Sequence, residues 1–381
     1  MSGLTRESGP LRAAIPELRV TFGMIVLNAQ PFLAYTLAAI YPYAHEIIVV
    51  EGATPSFACV ATADGHSRDG TLQALERFRE DSDPDGKLTI LTAETCGYPD
   101  GFWPEREQMC AAWADRATGT HIWQIDSDEF YLPADMKWVL RRIGTERIEG
   151  VVFPMKTFWG GLNYEVDSFT LRDFSVRRVF EWRPGYTYSS HRPPDVCDAS
   201  GRSVLDGRIL RAAEVRRAGV FLYHYELLFP HQVREKCAGY ARSTLDLALS
   251  QAREWAESCY MRLERPFRMH LIYRNIAWLR RFSGPHPPAA VRMFEDVKAG
   301  RWPGIDVRAS VDVDRLLGRW TYRLAGIVLS GVAPFVIAQR RGLRRIRSFL
   351  RSVPGADWLR RFRRLPTPDS DARFVGSTKG R

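Results

Sequence analysis

His121-Ile122-Trp123-Gln124-Ile125-Asp126-Ser127-Asp128-Glu129-Phe130 is the stretch that decides the fold. An apolar run ends abruptly in three carboxylates. Ile122, Trp123 and Ile125 read as a short buried strand. Residues two apart on a strand share a face, so extended backbone carried through to Asp128 projects Asp126 and Asp128 together and turns Ser127 away. Two close carboxylates repel, and one is pushed toward protonation unless a cation sits between them. Hard oxygen donors of this kind suit Mg²⁺ or Mn²⁺, usually shared with phosphates.

The chain holds five D-x-D triplets, and context separates them. Asp81/Asp83 and Asp83/Asp85 lie in a Pro/Gly turn, and Asp369/Asp371 lies in a polar tail. Asp312/Asp314 reads as the start of a helix, where acids favour the dipole. Asp126/Asp128 alone ends an apolar strand, the setting in which such a motif counts.

Upstream, the apolar run Val20 to Leu27 is a buried first strand ended by Asn28. Pro31 opens a helix over Phe32 to Ile40. Glu46 to Val50 is a second buried strand, ending in Glu51. After a loop, Leu72, Leu75 and Phe78 mark an amphipathic helix with Asp69 or Thr71 as N-cap. Lys87 to Leu91 is a third strand, Pro104 opens a helix through Met109 and Trp113, and Pro133 opens another after the D-x-D strand. Strands alternating with helices imply an α/β fold, a mostly parallel sheet sandwiched by helices. Ligands then bind outside the carboxyl ends of the strands, where Asn28, Glu51, Asp126 and Asp128 all fall.

Beyond Gly150 the pattern changes. Val151 to Met155, then aromatic-rich segments between Phe158 and Tyr188, read as an antiparallel extension forming an acceptor-side wall. Phe158-Trp159-Gly160-Gly161, with Trp182 and Tyr186, reads either as core or as a platform for a sugar ring. Phe221 to Tyr225 is a short strand ending near His224. Helix-like sequence runs from about Gln232 to Leu263 and from Phe267 to Phe282.

The net charge of +10 is unevenly spread: residues 301–381 hold 18 Lys+Arg against 6 Asp+Glu, and the rest is slightly acidic. The basicity therefore belongs to the C-terminal region, and a nucleic-acid partner is not needed to explain it. The six cysteines form no C-x-x-C pair and read as free thiols in a reducing compartment. Met1 to Arg19 carries no apolar h-region, so the expected location is cytoplasmic.

The ordered signals in the first 130 or so residues resemble the nucleotide-sugar-binding half of family-2-like glycosyltransferases with the GT-A fold. The resemblance rests on Leu27-Asn28 ending strand one, on Glu51 ending strand two, on Ser67-Arg68-Asp69-Gly70-Thr71, and on Asp126-Ser127-Asp128. An insertion, Ala53 to Asp64, departs from the family pattern. The resemblance implies transfer of a sugar from a nucleoside-diphosphate sugar, a UDP-sugar foremost, with inversion, to a glycan or lipid-linked acceptor. It implies Mn²⁺ or Mg²⁺ held by Asp126, Asp128 and His224, with His231 as rival for the third place. Asn28, Glu51, Arg106 and Asp126 would meet the nucleotide sugar. Arg106 stands at a helix start where the dipole disfavours a cation, so an anionic partner would explain it. Asp195 or His191 would serve as general base. Two other readings stand: a nucleotidyltransferase, which would need a Gly-rich phosphate loop after strand one, and a non-catalytic nucleotide-sugar-binding or scaffold protein at a membrane.

Leu324 to Ala338 is an uncharged stretch of 15 residues, shorter than the roughly 20 needed to span a bilayer. Arginines interleaved with Leu343, Ile346, Phe349 and Leu350, and again around Trp358 to Arg364, describe a basic amphipathic helix suited to the inner face of an anionic membrane. The expected organisation is a flexible N-terminus at 1–18, a catalytic domain at 19–230 divided near residue 150, a helical extension at 231–320, a membrane-surface segment at 321–365 and a disordered tail at 366–381.

Overall fold

The computed structural model describes residues 17–240, 251–271 and 276–352. The expectations for residues 1–16 and 353–381, Trp358 to Arg364 among them, lie outside the described residues. Strand β1 (Val20–Val26) is buried along nearly its whole length and pairs in parallel with β2 (Glu46–Glu51) on one side and β4 (His121–Gln124) on the other. β3 (Leu88–Leu91) extends the parallel set beyond β2. The connecting helices are α1 (Phe32–Ile40), α2 (Thr71–Asp81) and α3 (Arg106–Ala114), and α4 (Pro133–Glu146) follows the D-x-D turn.

The sheet continues past β4 with reversed strands. β8 (Ser175–Glu181) pairs antiparallel with β4, then β6 (Gly150–Trp159) with β8 and β7 (Tyr164–Ser168) with β6. A short helix, α5 (Phe169–Asp173), connects β7 to β8. β9 (Thr187–His191) and β10 (Pro194–Cys197) form a separate two-stranded ribbon. β11 (Ile209–Leu210) and, beyond α6 (Ala212–Arg217), β12 (Leu222–Leu227) both return parallel to β6. The result is an α/β sheet, parallel from β3 through β2 and β1 to β4 and mixed beyond it.

Three expectations change. β4 stops at Gln124, and Ser127 and Asp128 lie in a turn closed by Glu129 N donating to Asp126 O at 3.0 Å. The alternation that would have aimed Asp126 and Asp128 together therefore lapses before it reaches them. The segment expected as helix over Phe267 to Phe282 instead supplies β13 (Ala277–Arg281), whose Ala-Trp-Leu run is buried against β7. The basic amphipathic stretch does not begin afresh near Arg340: one helix runs from Trp320 to Ser352.

β1 carries a glycine at its centre for a packing reason. A Cβ on Gly23 would land 2.2 Å from the Trp113 ring of α3, and both residues are buried. The missing side chain lets α3 settle directly on the strand. Gly23→Ala is expected to destabilise the chain by about 1–3 kcal/mol through overpacking, read as a lower urea midpoint with an unchanged slope.

Candidate active site

The turn after β4 is held from three sides. β5 (Glu129–Phe130) pairs antiparallel with β12, which sets His224 directly opposite Glu129. Tyr225 N donates to Asp128 O at 2.8 Å, and Thr36 Oγ1 of α1 donates to Ser127 O at 2.6 Å. From β8, the buried Arg178 guanidinium donates to Asp126 Oδ2 at 2.9 Å and to Glu129 Oε1. Burial pushes the Glu129 carboxyl up to about 7, with Arg178 only partly opposing it. Burial acts upward on Asp126 as well, but Arg178, His191 and His224 outweigh it and hold that carboxyl at about 2. One guanidinium thus stabilises two carboxylates in different states.

Asp128 turns away from Arg178. Its Oδ1 stands 3.5 Å from His224 Nε2, and Gln232 Nε2 of α7 (Pro230–Tyr240) donates to its Oδ2 at 3.2 Å. Behind His224 lies Glu226, 3.4 Å from Nδ1. Glu226 is buried and also meets His270 Nε2 and Lys236 Nζ, each at 2.8 Å. Against the effect of burial, Glu226 and Asp128 raise His224 to about 9.

These residues bear on the divalent ion that the sequence reading expects at Asp126, Asp128 and His224. Asp128 and His224 face each other at a separation two ligands of one ion can adopt, and Glu226 lies where a carboxylate orients a ligating imidazole. Arg178 occupies Asp126 Oδ2. Among the described residues no three His, Cys, Asp or Glu side chains surround a common point. The donors fit an ion completed by phosphate and water oxygens, the usual habit of Mg²⁺, and do not make a closed protein cage. His231 lies apart from this group, stacked on Phe229 with Asp69 and Asp306 as its charged neighbours.

Cations gather beside the carboxylates. Arg106 is the first residue of α3, and its guanidinium lies 4.6 Å over the Phe57 ring. It makes no hydrogen bond or ion pair to another described residue, and burial and Arg192 both pull its pKa down. Arg192, next to His191 at the end of β9, meets the Tyr240 hydroxyl. Arg192, Lys236 and Arg106 together overcome burial and lower the Tyr240 phenol. The insertion after β2 builds this corner: its 3₁₀ turn Pro55–Val60 brings Phe57 edge-on to Tyr240 at 6.1 Å. A Cβ on Gly239 would lie 2.1 Å from the Phe57 ring.

The remaining candidates divide. His191 is buried in this group, with Nδ1 3.3 Å from Cys110 Sγ and Nε2 without a partner among the described residues. Burial, then Arg192 and Arg106, push it down to about 3, so it is neutral at pH 7. Asp195 stands on β10, accepts from Ser203 Oγ at 2.7 Å and pairs with Arg177 at 3.8 Å. Glu51 is fully buried; it accepts from Ser67 N at 2.8 Å and meets His66 Nδ1 at 2.7 Å, so it holds the loop from behind. Asn28 likewise bonds Val60 O and Arg68 N. Asp69 caps the start of α2 through Thr71 N and also accepts from Gln30 N. Phe158 and Trp159 have no exposed surface and belong to the core.

Sequence reasoning passed over Arg178, Arg192, Glu226 and the α7 series Gln232, Lys236 and Tyr240. That series recurs every fourth residue directly after His224, the spacing of one helix face, and was open to view. Arg178 left no such signal, because only the β4–β8 pairing brings it to Asp126.

No protein-family model matches the chain, and no curated protein matches it. Among solved structures it is similar to residues 1–349 of S. aureus TarS, with 12% identity, 65% of this chain and 73% of that chain covered, and a TM-score of 0.36. It is also similar to glucosyl-3-phosphoglycerate synthase from Mycobacterium tuberculosis in complex with Mn²⁺, UDP and glucosyl-3-phosphoglycerate, with 17% identity, 41% and 50% covered, and a TM-score of 0.27.

Replacing Arg178 with Leu removes the cation that hydrogen-bonds both Asp126 and Glu129. The expected cost is about 3–5 kcal/mol at neutral pH, the usual consequence of orphaning a buried charge. The deficit shrinks as acid protonates Glu129, so denaturant melts at pH 5 and pH 8 check both size and direction.

Proposed function

We propose that the chain is a glycosyltransferase that takes a sugar from a nucleoside-diphosphate donor, UDP foremost, and passes it with inversion to a glycan or a lipid-linked acceptor at the inner face of a membrane. The observation that carries this is the convergence, at the carboxyl end of the parallel strands, of Asp128 and His224 with the cations Arg106, Arg192 and Lys236. Arg106 has no bonded partner among the described residues and Arg192 lies close enough to lower its pKa. Two guanidiniums held near each other at a helix N-terminus are unfavourable without an anion between them, and a diphosphate supplies it.

The chemistry follows from charge. The acceptor oxygen attacks the anomeric carbon, the bond to the diphosphate breaks, and its electron pair leaves with the nucleotide. Arg106, Arg192 and Lys236 hold fixed positive charge where that negative charge grows, a contribution commonly worth a factor of about 10²–10³ per group. Asp128 and His224 would hold Mn²⁺ or Mg²⁺, which would supply Lewis-acid neutralisation of the leaving diphosphate. The acceptor proton passes to Asp195, the carboxylate of the two candidates; burial, Arg192 and Arg106 hold His191 down to about 3, which makes it a poor proton acceptor at pH 7. Glu51 and Asn28 serve the donor indirectly by fixing the loop Ala53 to Thr71.

Thermal-shift titration with UDP and GDP, with and without Mn²⁺, tests the reading. A nucleotide at 100 times its Kd is expected to stabilise the wild type by about 2.7 kcal/mol. Asp128→Asn is expected to lose the Mn²⁺-dependent part of the shift, and Arg106→Ala most of the nucleotide shift. Asp195→Asn is expected to keep the shift while donor turnover falls at least about 10²-fold, the lower range for a lost general base. A wild type shifted by no nucleotide overturns the proposal.

A further inference from the structure

The helix Trp320–Ser352 has two apolar faces. The inner face lies on the domain: Tyr322 and Ala333 are buried, and a Cβ on Gly326 would sit 3.8 Å from Trp278. Polar ties fasten it along its length. Tyr322 Oη accepts from Leu279 N and donates to Pro266 O, Arg172 donates to Ser330 O and Oγ, and Arg341 donates to Asp173. Among the described residues nothing covers the outer face. Trp320, Leu324, Ile327, Val328 and Phe335 are 52–78% exposed and recur at the three- and four-residue spacing of one helical stripe. Most large hydrophobic side chains exposed anywhere in the described chain belong to this helix.

We infer that this outer stripe is a membrane-seating face, with the helix lying flat in the headgroup region of an anionic leaflet. The inference rests on the proposed membrane-side acceptor and assigns the surface that would reach it. Charge selects the occupant. From Arg315 to Arg351 the sequence carries nine arginines and no acidic residue, and exposed Arg319 and Arg323 flank the stripe. A second copy would present the same positive charge to itself, which disfavours a dimer through this face; anionic headgroups complement it. Trp320–Leu343 is long and apolar enough to cross a bilayer, but the ties at Tyr322, Ser330 and Arg341 bind its inner face to β13, Arg172 and α5. A crossing helix would have to break them or draw Arg172 and Asp173 into hydrocarbon. A helix seated by one face satisfies both the ties and the stripe.

Flotation of the full chain with vesicles of phosphatidylcholine alone, and of phosphatidylcholine with phosphatidylglycerol, tests this. The wild type is expected to float with the anionic vesicles and to be released by salt. The double variant Ile327→Asp, Phe335→Asp is expected to float about tenfold less, the response of an interfacial helix to lost apolar burial, while Val291→Asp, on an exposed site elsewhere, leaves flotation unchanged. The UDP-induced thermal shift of the double variant, expected to match wild type, reports the donor site separately and shows that the variant folds. Equal flotation of wild type and double variant overturns the inference. So does a lipid-free dimer that the double variant dissolves, which would put a second copy on the face. Wild type that resists alkaline carbonate extraction from membranes would show a spanning helix and overturn the flat seating.

Discussion

A single buried guanidinium governs the site. Arg178 reaches from β8 to Asp126 and Glu129, and Glu129 in turn sits across the β5–β12 pair from His224. Without that cation, the half-exposed Asp126 and the buried Glu129 would repel across the turn, and Glu129 would be left as a buried charge without its ion pair. With it, Asp126 remains ionised as an internal partner and Asp128 is released to face His224. The D-x-D pair thus separates, Asp126 bonding Arg178 and Asp128 facing His224, because β4 ends two residues before it.

The insertion after β2 and helix α7 share one purpose in the packing. Phe57 fills the space that the absent side chain of Gly239 leaves open, and the same ring supports Arg106. Tyr240 lies between these and Arg192. Arg106 is thereby held by an aromatic contact that does not neutralise it, a preorganised charge of the kind that stabilises a developing negative charge without reorganising.

The C-terminal helix divides its work between its faces. Tyr322, Gly326 and Ala333 give it a close seat on the sheet edge at β13, and hydrogen bonds from Arg172 and Arg341 fix its register. The opposite stripe keeps tryptophan, isoleucine and phenylalanine in water, an arrangement that costs solubility unless a second phase receives them. Pro334 lies in the helix interior, beside the exposed Phe335.

The sequence by itself determined the alternation of buried strands and capped helices, the strand-end position of Asp126 and Asp128, the nearby His224, and the concentration of arginine at the C-terminus. These are local signals, set by the period of apolar residues and by residues adjacent in the chain. It could not say that Asp126 and Asp128 part company, that Glu51 and Asn28 serve the loop behind them, or that Ala277–Arg281 is a strand. It also held no sign of Arg178 or Arg192. Those outcomes were decided by tertiary structure, because each depends on a partner supplied from far along the chain: Arg178 lies 52 residues from Asp126, and Gln232 lies 104 from Asp128. Charge and periodicity along a chain specify what a segment can become, whereas burial beside a distant partner fixes which carboxylate is held and which is left to act.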